Sequence, residues 1–292
     1  MPCGRRNTFS TERLARSGLR PSGPSIHVTL PDAVLEVEIG GSGEPVVLIQ
    51  TALTADEFLP LARQPDLRDD FQVILYHRRG YGGSSPVQGP GSIERDALDC
   101  QRLLAELQID RAHVVGVSYS GAVALQLAAS VPGCVHSLCV IEPPPVHTPS
   151  AGEFRAANAQ LTEDYRLHGP AMTLDRFLTR LVGSDWRREI ERYLPGGVAE
   201  AERDADTFFA IDLPALLSWR FGAEDARRIS QPVLYVGGTE SGPWFAEVRD
   251  LVLAWLPQAE DMVLAGADHS LALTHSAQVA LAIASFLHRH PI

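Results

Sequence analysis

No apolar run in this sequence approaches the ~20 residues that a helix needs to cross a bilayer, so a membrane span is not expected. An excess of basic residues is missing too. Against 36 Asp+Glu stand 25 Lys+Arg, a formal net charge of −11. A nucleic-acid binder would carry a basic face; a negative surface serves solubility. Cysteine is scarce: Cys3, Cys100, Cys134 and Cys139, with no C-x-x-C spacing. That usage fits a reduced, cytoplasmic protein, with Cys139 a small core residue inside an apolar run. Three other signatures are absent: a metal-ligand constellation, a phosphate-cradling loop with lysine, and a dinucleotide fingerprint. The glycines at 80–83 lack the G-x-G-x-x-G spacing. The expectation is therefore no cofactor, no metal, no nucleic acid and no membrane partner, but a small-molecule substrate; no oligomeric state is assigned.

What is present is alternation. The 292 residues suit one large α/β domain with an insertion. Residues 1–25 carry five arginines among Ser, Gly and Pro, and read as a disordered tail. Ile26–Leu30 and Ala33–Ile39 alternate as an antiparallel hairpin. Pro45–Ile49, Phe71–Tyr76, His113–Val115, Val135–Ile141, Pro232–Val236 and Asp261–Leu264 are apolar runs of the kind buried in a parallel sheet. Between them fall helical patterns at Phe58–Arg63, Ile93–Leu107, Phe245–Leu256 and Ser276–Arg289. From Val146 to about Ser230 strand-like runs stop, and helices are expected at Gly152–Leu167, Thr173–Leu181, Asp185–Tyr193 and Val198–Phe209. The domain reading is thus a core of residues 26–145 and 231–292, mostly parallel sheet with helices on both faces, and a helical cap over 146–230.

The chain is organised around Gly116-Val117-Ser118-Tyr119-Ser120-Gly121, between a strand and a helix. A serine at a sharp strand-to-helix turn, flanked by tiny residues, is a nucleophile elbow, usually G-x-S-x-G. Here Ser120 stands at the second glycine position and Gly121 follows it. The helix start at Ser118 would aim free N–H groups at a nascent oxyanion. The alternative is an ordinary βα turn with Ser118 as a helix cap.

Taken in order, Gln50-Thr51-Ala52-Leu53 after an apolar strand, Arg79-Gly80-Tyr81-Gly82-Gly83-Ser84-Ser85-Pro86, the elbow, and Leu264-Ala265-Gly266-Ala267-Asp268-His269 resemble the α/β-hydrolase superfamily over residues 26 to 290. The resemblance implies that fold, with a helical cap inserted after the sixth strand. It implies a triad of Ser118 as nucleophile, His269 as base and an acid in between. Glu240, after the strand Pro232–Val236, falls where the family's acid lies; Glu142, ending the preceding strand, is its rival. The oxyanion hole is expected from the backbone N–H of Tyr119 and of Ala52, with Leu53 as alternative. The sequence departs from the family at Gln50-Thr51, where His-Gly is common, at His77, where Asp is common, and at Asp268, where Gly is usual. Of the cap aromatics, Trp186, Phe208, Phe209 and Trp219 are candidates to line an apolar substrate pocket.

The function implied is hydrolysis of a small, largely apolar ester or related acyl compound through an acyl-enzyme. A serine at the elbow argues against the branches that use an aspartate nucleophile. Two alternatives stand beside it: cofactor-free chemistry on the same fold (peroxidase or perhydrolase, C–C hydrolase, lyase or cyclase), and a non-catalytic ligand receptor.

Overall fold

A computed structural model describes residues 25–292. The disordered tail expected over 1–25 lies, apart from Ser25, outside the described residues. Among the described residues, eight strands form one sheet in the order β1-β2-β4-β3-β5-β6-β7-β8. They are β1 (Ile26–Leu30), β2 (Ala33–Gly41), β3 (Glu44–Ile49), β4 (Phe71–Tyr76), β5 (Ala112–Val117), β6 (Val135–Ile141), β7 (Val233–Gly238) and β8 (Ala259–Leu264). β1 pairs antiparallel with β2, and β2 with β4. From β4 onward every pairing is parallel. This is the α/β-hydrolase fold that the alternation and motifs implied.

The central strands are apolar on both faces because both are covered. On one face Val47, Val114 and Val140 pack with Leu103, Val123 and Val252, from the helices Ile93–Glu106, Ser118–Ser130 and Pro243–Trp255. On the other, Leu48, Val115 and Ile141 pack with Leu61, Leu67 and Ile283, the last from the helix Ser276–Arg289. The parallel strands all end on one side, so the loops after β3, β5, β6 and β7 meet at a single rim.

Between β6 and β7 the chain is built from helices. Ala151–Leu181 is two helical segments run end to end, interrupted at Gly169 (φ +77°, ψ 175°) ahead of Pro170. That break explains why two separate helices were expected there. Trp186–Tyr193 and Gly197–Thr207 follow, then a π-helical turn Phe208–Asp212 and the helix Leu213–Ser218. The insert has its own apolar cluster, including Leu174, Trp186, Ala205 and Phe209, and Leu53 from the loop after β3 joins it. Among the described residues, no helix is long and apolar enough to cross a membrane.

Candidate active site

Ser118 sits at the point where β5 becomes a helix, with φ +49°. A non-glycine residue there costs on the order of 1–3 kcal/mol, and such strain clusters at functional sites. The neighbours show what the turn demands. A Cβ on Gly116 would fall 2.2 Å from the Ser120 carbonyl oxygen. Ser120, where the family pattern has glycine, is fully buried, and its hydroxyl accepts from the Val117 N–H (2.9 Å) and donates to the Val117 C=O (3.0 Å). The serine thus buckles the elbow with its own side chain. The close approach that needs glycine has moved one residue on, because a Cβ on Gly121 would stand 3.1 Å from Pro143 in the turn after β6.

That turn carries the second strained residue of the rim, Glu142, with φ +42° and 1% exposure. Its Oε1 accepts from the Gly238 N–H at 2.8 Å, and its Oε2 lies 2.7 Å from His269 Nδ1, the imidazole N–H donating. A carboxylate so placed holds the ring in one orientation and leaves Nε2 free to take a proton. Phe245 stacks on the other side of the ring, centroids 3.9 Å apart.

The acid expected first, Glu240, is not at the histidine. β7 runs on to Gly238, two residues beyond the expected end at Val236. Glu240 then hangs by its N–H on the Ala267 carbonyl (2.9 Å), with its exposed carboxylate taking only the Thr239 hydroxyl (3.2 Å). The residue bonded to His269 is the rival, Glu142. Asp268 is exposed and receives the Ser270 N–H at 2.9 Å, so it braces the histidine loop.

The loop after β3 is held from below rather than by glycine. The Thr51 hydroxyl donates to the Val117 carbonyl (2.9 Å), tying the loop to the elbow. Arg78 donates to the carbonyls of Gln50 (2.9 Å) and Thr51 (3.2 Å). Leu53 takes φ +76°, and its N–H donates to the Tyr81 hydroxyl at 3.0 Å. The alternative oxyanion donor is therefore already engaged, which leaves Ala52 as the candidate on this side. Tyr119, the other candidate, is anchored through its hydroxyl on Asp96 (2.9 Å), with its ring 4.2 Å from the Arg78 guanidinium.

Arg78 is the hub of a buried charge cluster under this loop. It contacts Asp96 at 2.7 Å and grips Asp212 of the π-helical turn with both terminal nitrogens, at 3.2 and 2.6 Å. Tyr81 donates to the same Asp212 at 2.6 Å. Burial pulls the guanidinium down, but Asp212 and Asp96 more than offset it and hold Arg78 firmly charged. A second tie runs beside it. His77 sits between Asp56 and Glu36, 2.9 Å from each, and Glu200 of the insert accepts the Asp56 N–H at 3.1 Å. Burial works against the His77 cation, but the two carboxylates raise it above its ordinary value.

A cavity of about 670 Å³ lies between rim and insert. Ser118, Tyr119, Ala52 and His269 line its core side, and apolar insert residues such as Leu178, Ile190 and Leu216 line the other. Of the aromatics expected here, only Phe208 faces the cavity. Trp186 and Phe209 are fully buried inside the insert, where tertiary packing claims them. Trp219 is 3% exposed and donates to Gln126 of the elbow helix at 2.8 Å, so it fastens the insert's end to the core. The aromatics that do line the cavity and were missed are Phe154, Phe177, Trp244 and Phe245. Trp244 and Phe245 were legible as an aromatic pair just past the loop after β7. Glu57, also missed, lines the cavity beside His269. Burial pushes its carboxyl up to about 7, with the histidine pulling the other way.

A sequence profile described as the Alpha/beta hydrolase family matches residues 45–282. The chain therefore belongs to the α/β-hydrolase family. Within it, the chain is 34% identical over 110 residues to a protein of Azorhizobium caulinodans that bears the provisional name carbamate hydrolase RutD; the match covers 38% of this chain and spans only 41% of that relative's length. It is 26% identical over 245 residues to the esterase YbfF of Escherichia coli, covering 78% of this chain and 87% of that protein. Among solved structures, a thermophilic esterase from Thermogutta terrifontis superposes with a TM-score of 0.75 at 21% identity, over 92% of this chain and all (100%) of that one. These relatives are named as hydrolases or esterases, and the family they share with this chain is that of the α/β-hydrolase fold.

Proposed function

We propose that this protein is a serine hydrolase of small, largely apolar carboxylic esters or related acyl compounds. The observation that carries the reading is the pairing of His269 with the buried, strained Glu142, on the wall of the cavity that Ser118 also lines. In this mechanism His269 Nε2 takes the Ser118 proton as Oγ attacks the acyl carbon. Glu142 orients the ring and stabilises the imidazolium. The N–H groups of Tyr119 and Ala52 receive the oxyanion, an interaction worth roughly 10²–10³ in rate per donor. The imidazolium returns its proton to the leaving oxygen, and the acyl group stays on Ser118. Water activated by His269 then hydrolyses this ester by the same route. The helical insert acts as a cap that shields the acyl-enzyme and supplies apolar contact to the substrate. Both an esterase and a protein named for carbamate hydrolysis among the relatives fit attack by a nucleophile on an acyl carbon.

The test is acid-quenched mass spectrometry during turnover of phenyl acetate. An acetyl group mapped to Ser118, absent in Ser118→Ala, is the expected result. Turnover in the folded Ser118→Ala variant at the wild-type rate contradicts the reading.

A further inference from the structure

Three carboxyl residues that the mechanism above does not use line the cavity, Glu57, Asp164 and Asp212, and only the Glu57 side chain is without a hydrogen-bond partner among the described residues. Glu57 stands in the loop after β3, the same loop that carries Ala52, and it faces the cavity alongside Ser118 and His269. Every other acidic side chain brought to this part of the molecule is committed. Glu142 has His269 and Gly238, Asp212 has Arg78 and Tyr81, Asp96 has Arg78 and Tyr119, and Asp56 has His77. The Glu57 backbone N–H donates to the Thr54 carbonyl (3.4 Å), but its side chain makes no hydrogen bond or ion pair with any of the described residues; its electrostatic neighbour is His269.

Glu57 is half-buried, and its carboxylate lines the cavity with no side-chain partner to hold it, so what occupies the cavity is free to engage it. We propose that Glu57 sets the specificity of this site: its carboxylate receives a cationic ammonium group on the substrate. The sign of the charge follows from the chemistry. An anionic substituent would meet like charge at close range, and a neutral donor would recover only a hydrogen bond. A cation pairs with the carboxylate directly and gains a Coulomb term strengthened by the largely apolar lining. The net charge of −11 favours approach by cations as well. Arg176 and Arg180 also line the cavity, but they are exposed, where solvent and salt screen them. Asp164, of the same sign as Glu57, takes the Gln160 amide at 3.0 Å.

The test separates binding from turnover. In the Ser118→Ala background, affinities are measured by calorimetry for two isosteric pairs of N-methylamides. One pair is trimethylammonioacetic against 3,3-dimethylbutanoic; the other is 4-(trimethylammonio)butanoic against 5,5-dimethylhexanoic. The cationic member of at least one pair binds about tenfold or more tighter than its neutral isostere, and adding Glu57→Gln abolishes that preference. A preference that is absent in both pairs, or unchanged by Glu57→Gln, overturns the proposal. Reading a ratio removes any loss common to both ligands. Glu57→Leu supplies the structural control: it melts at or above the wild-type temperature, because an unpartnered carboxyl has been removed. A clear fall in melting temperature would make Glu57 a structural residue and overturn the assignment. The proposal rests on the hydrolase reading only for turnover of the matching phenyl esters. A cation preference without ester turnover sinks that reading and leaves the site standing; ester turnover without the preference does the reverse.

Discussion

The two walls of the cavity are built on opposite terms. The core wall is made of strand ends, and its polar groups are placed by strain and by bonds. Ser118 and Glu142 both hold positive φ, and His269 is fixed between a carboxylate and an aromatic ring. The insert wall is made of helices whose apolar side chains face the cavity without directional contacts, and it is fastened to the core at Arg78–Asp212 and Asp56–Glu200. One wall fixes angles and the other fills volume. Substitutions of Ser118, Glu142 or His269 on the first should therefore abolish chemistry, and those on the second should shift binding.

The largest effect expected is from Ser118→Ala, which should lower ester kcat by about 10⁴ or more, measured by initial rates at saturating substrate. The two glutamates sharpen the contrast within the core wall. Glu142→Gln should cost roughly 10³–10⁴ in kcat, while Glu240→Gln stays within about twofold; a reversed result would move the acid to the loop after β7.

The fastening of the two walls can be broken at Asp212. Asp212→Asn leaves Arg78 buried with one carboxylate fewer, and loss of a partner in such a pair costs roughly 3–5 kcal/mol, to be read from urea unfolding. On the insert wall, Phe177→Ala should raise KM by about tenfold with little change in kcat, since hydrophobic contacts of this size are worth about 1–3 kcal/mol. A fall in kcat alone would mean that the insert wall fixes geometry too.

The smallest effect expected concerns pH. Glu57 has its folded value raised to about 7 from 4.5 by burial. Folding therefore favours its protonated form, and that contribution is complete below pH 4.5 and fades as pH rises toward 7. Melting temperatures should show Glu57→Gln gaining on the wild type across that window. Parallel curves would mean that the group is not desolvated.

How much of this was legible in the sequence follows the same division. The strands and the elbow were visible because their signals are local: apolar runs, and a serine among small residues at a strand-to-helix turn. His269 was visible because a Gly/Ala loop after the last strand projects it. The acid was harder. Glu142 and Glu240 both follow strands, and the choice turns on where β7 ends and on the bond between Gly238 and Glu142, which joins residues 96 positions apart. The role of Ser120 was half legible: smallness could be read, but not the hydroxyl bridge to Val117. In the insert, periodicity located helices but not the side chains facing the cavity. Trp186 and Phe209 were as good candidates as Phe208 until packing assigned them inward. Arg78 gave no signal, because its partners Asp96 and Asp212 come from distant segments.

Covalent labelling by a fluorophosphonate, with the adduct mapped by peptide mass spectrometry, examines the machinery of the core wall as a unit. The account predicts modification at Ser118, slowed by about 10³ or more in Glu142→Gln and unchanged in Glu240→Gln. A folded wild-type protein that takes no label at Ser118, or a Glu142→Gln variant that labels as fast as wild type, would contradict it.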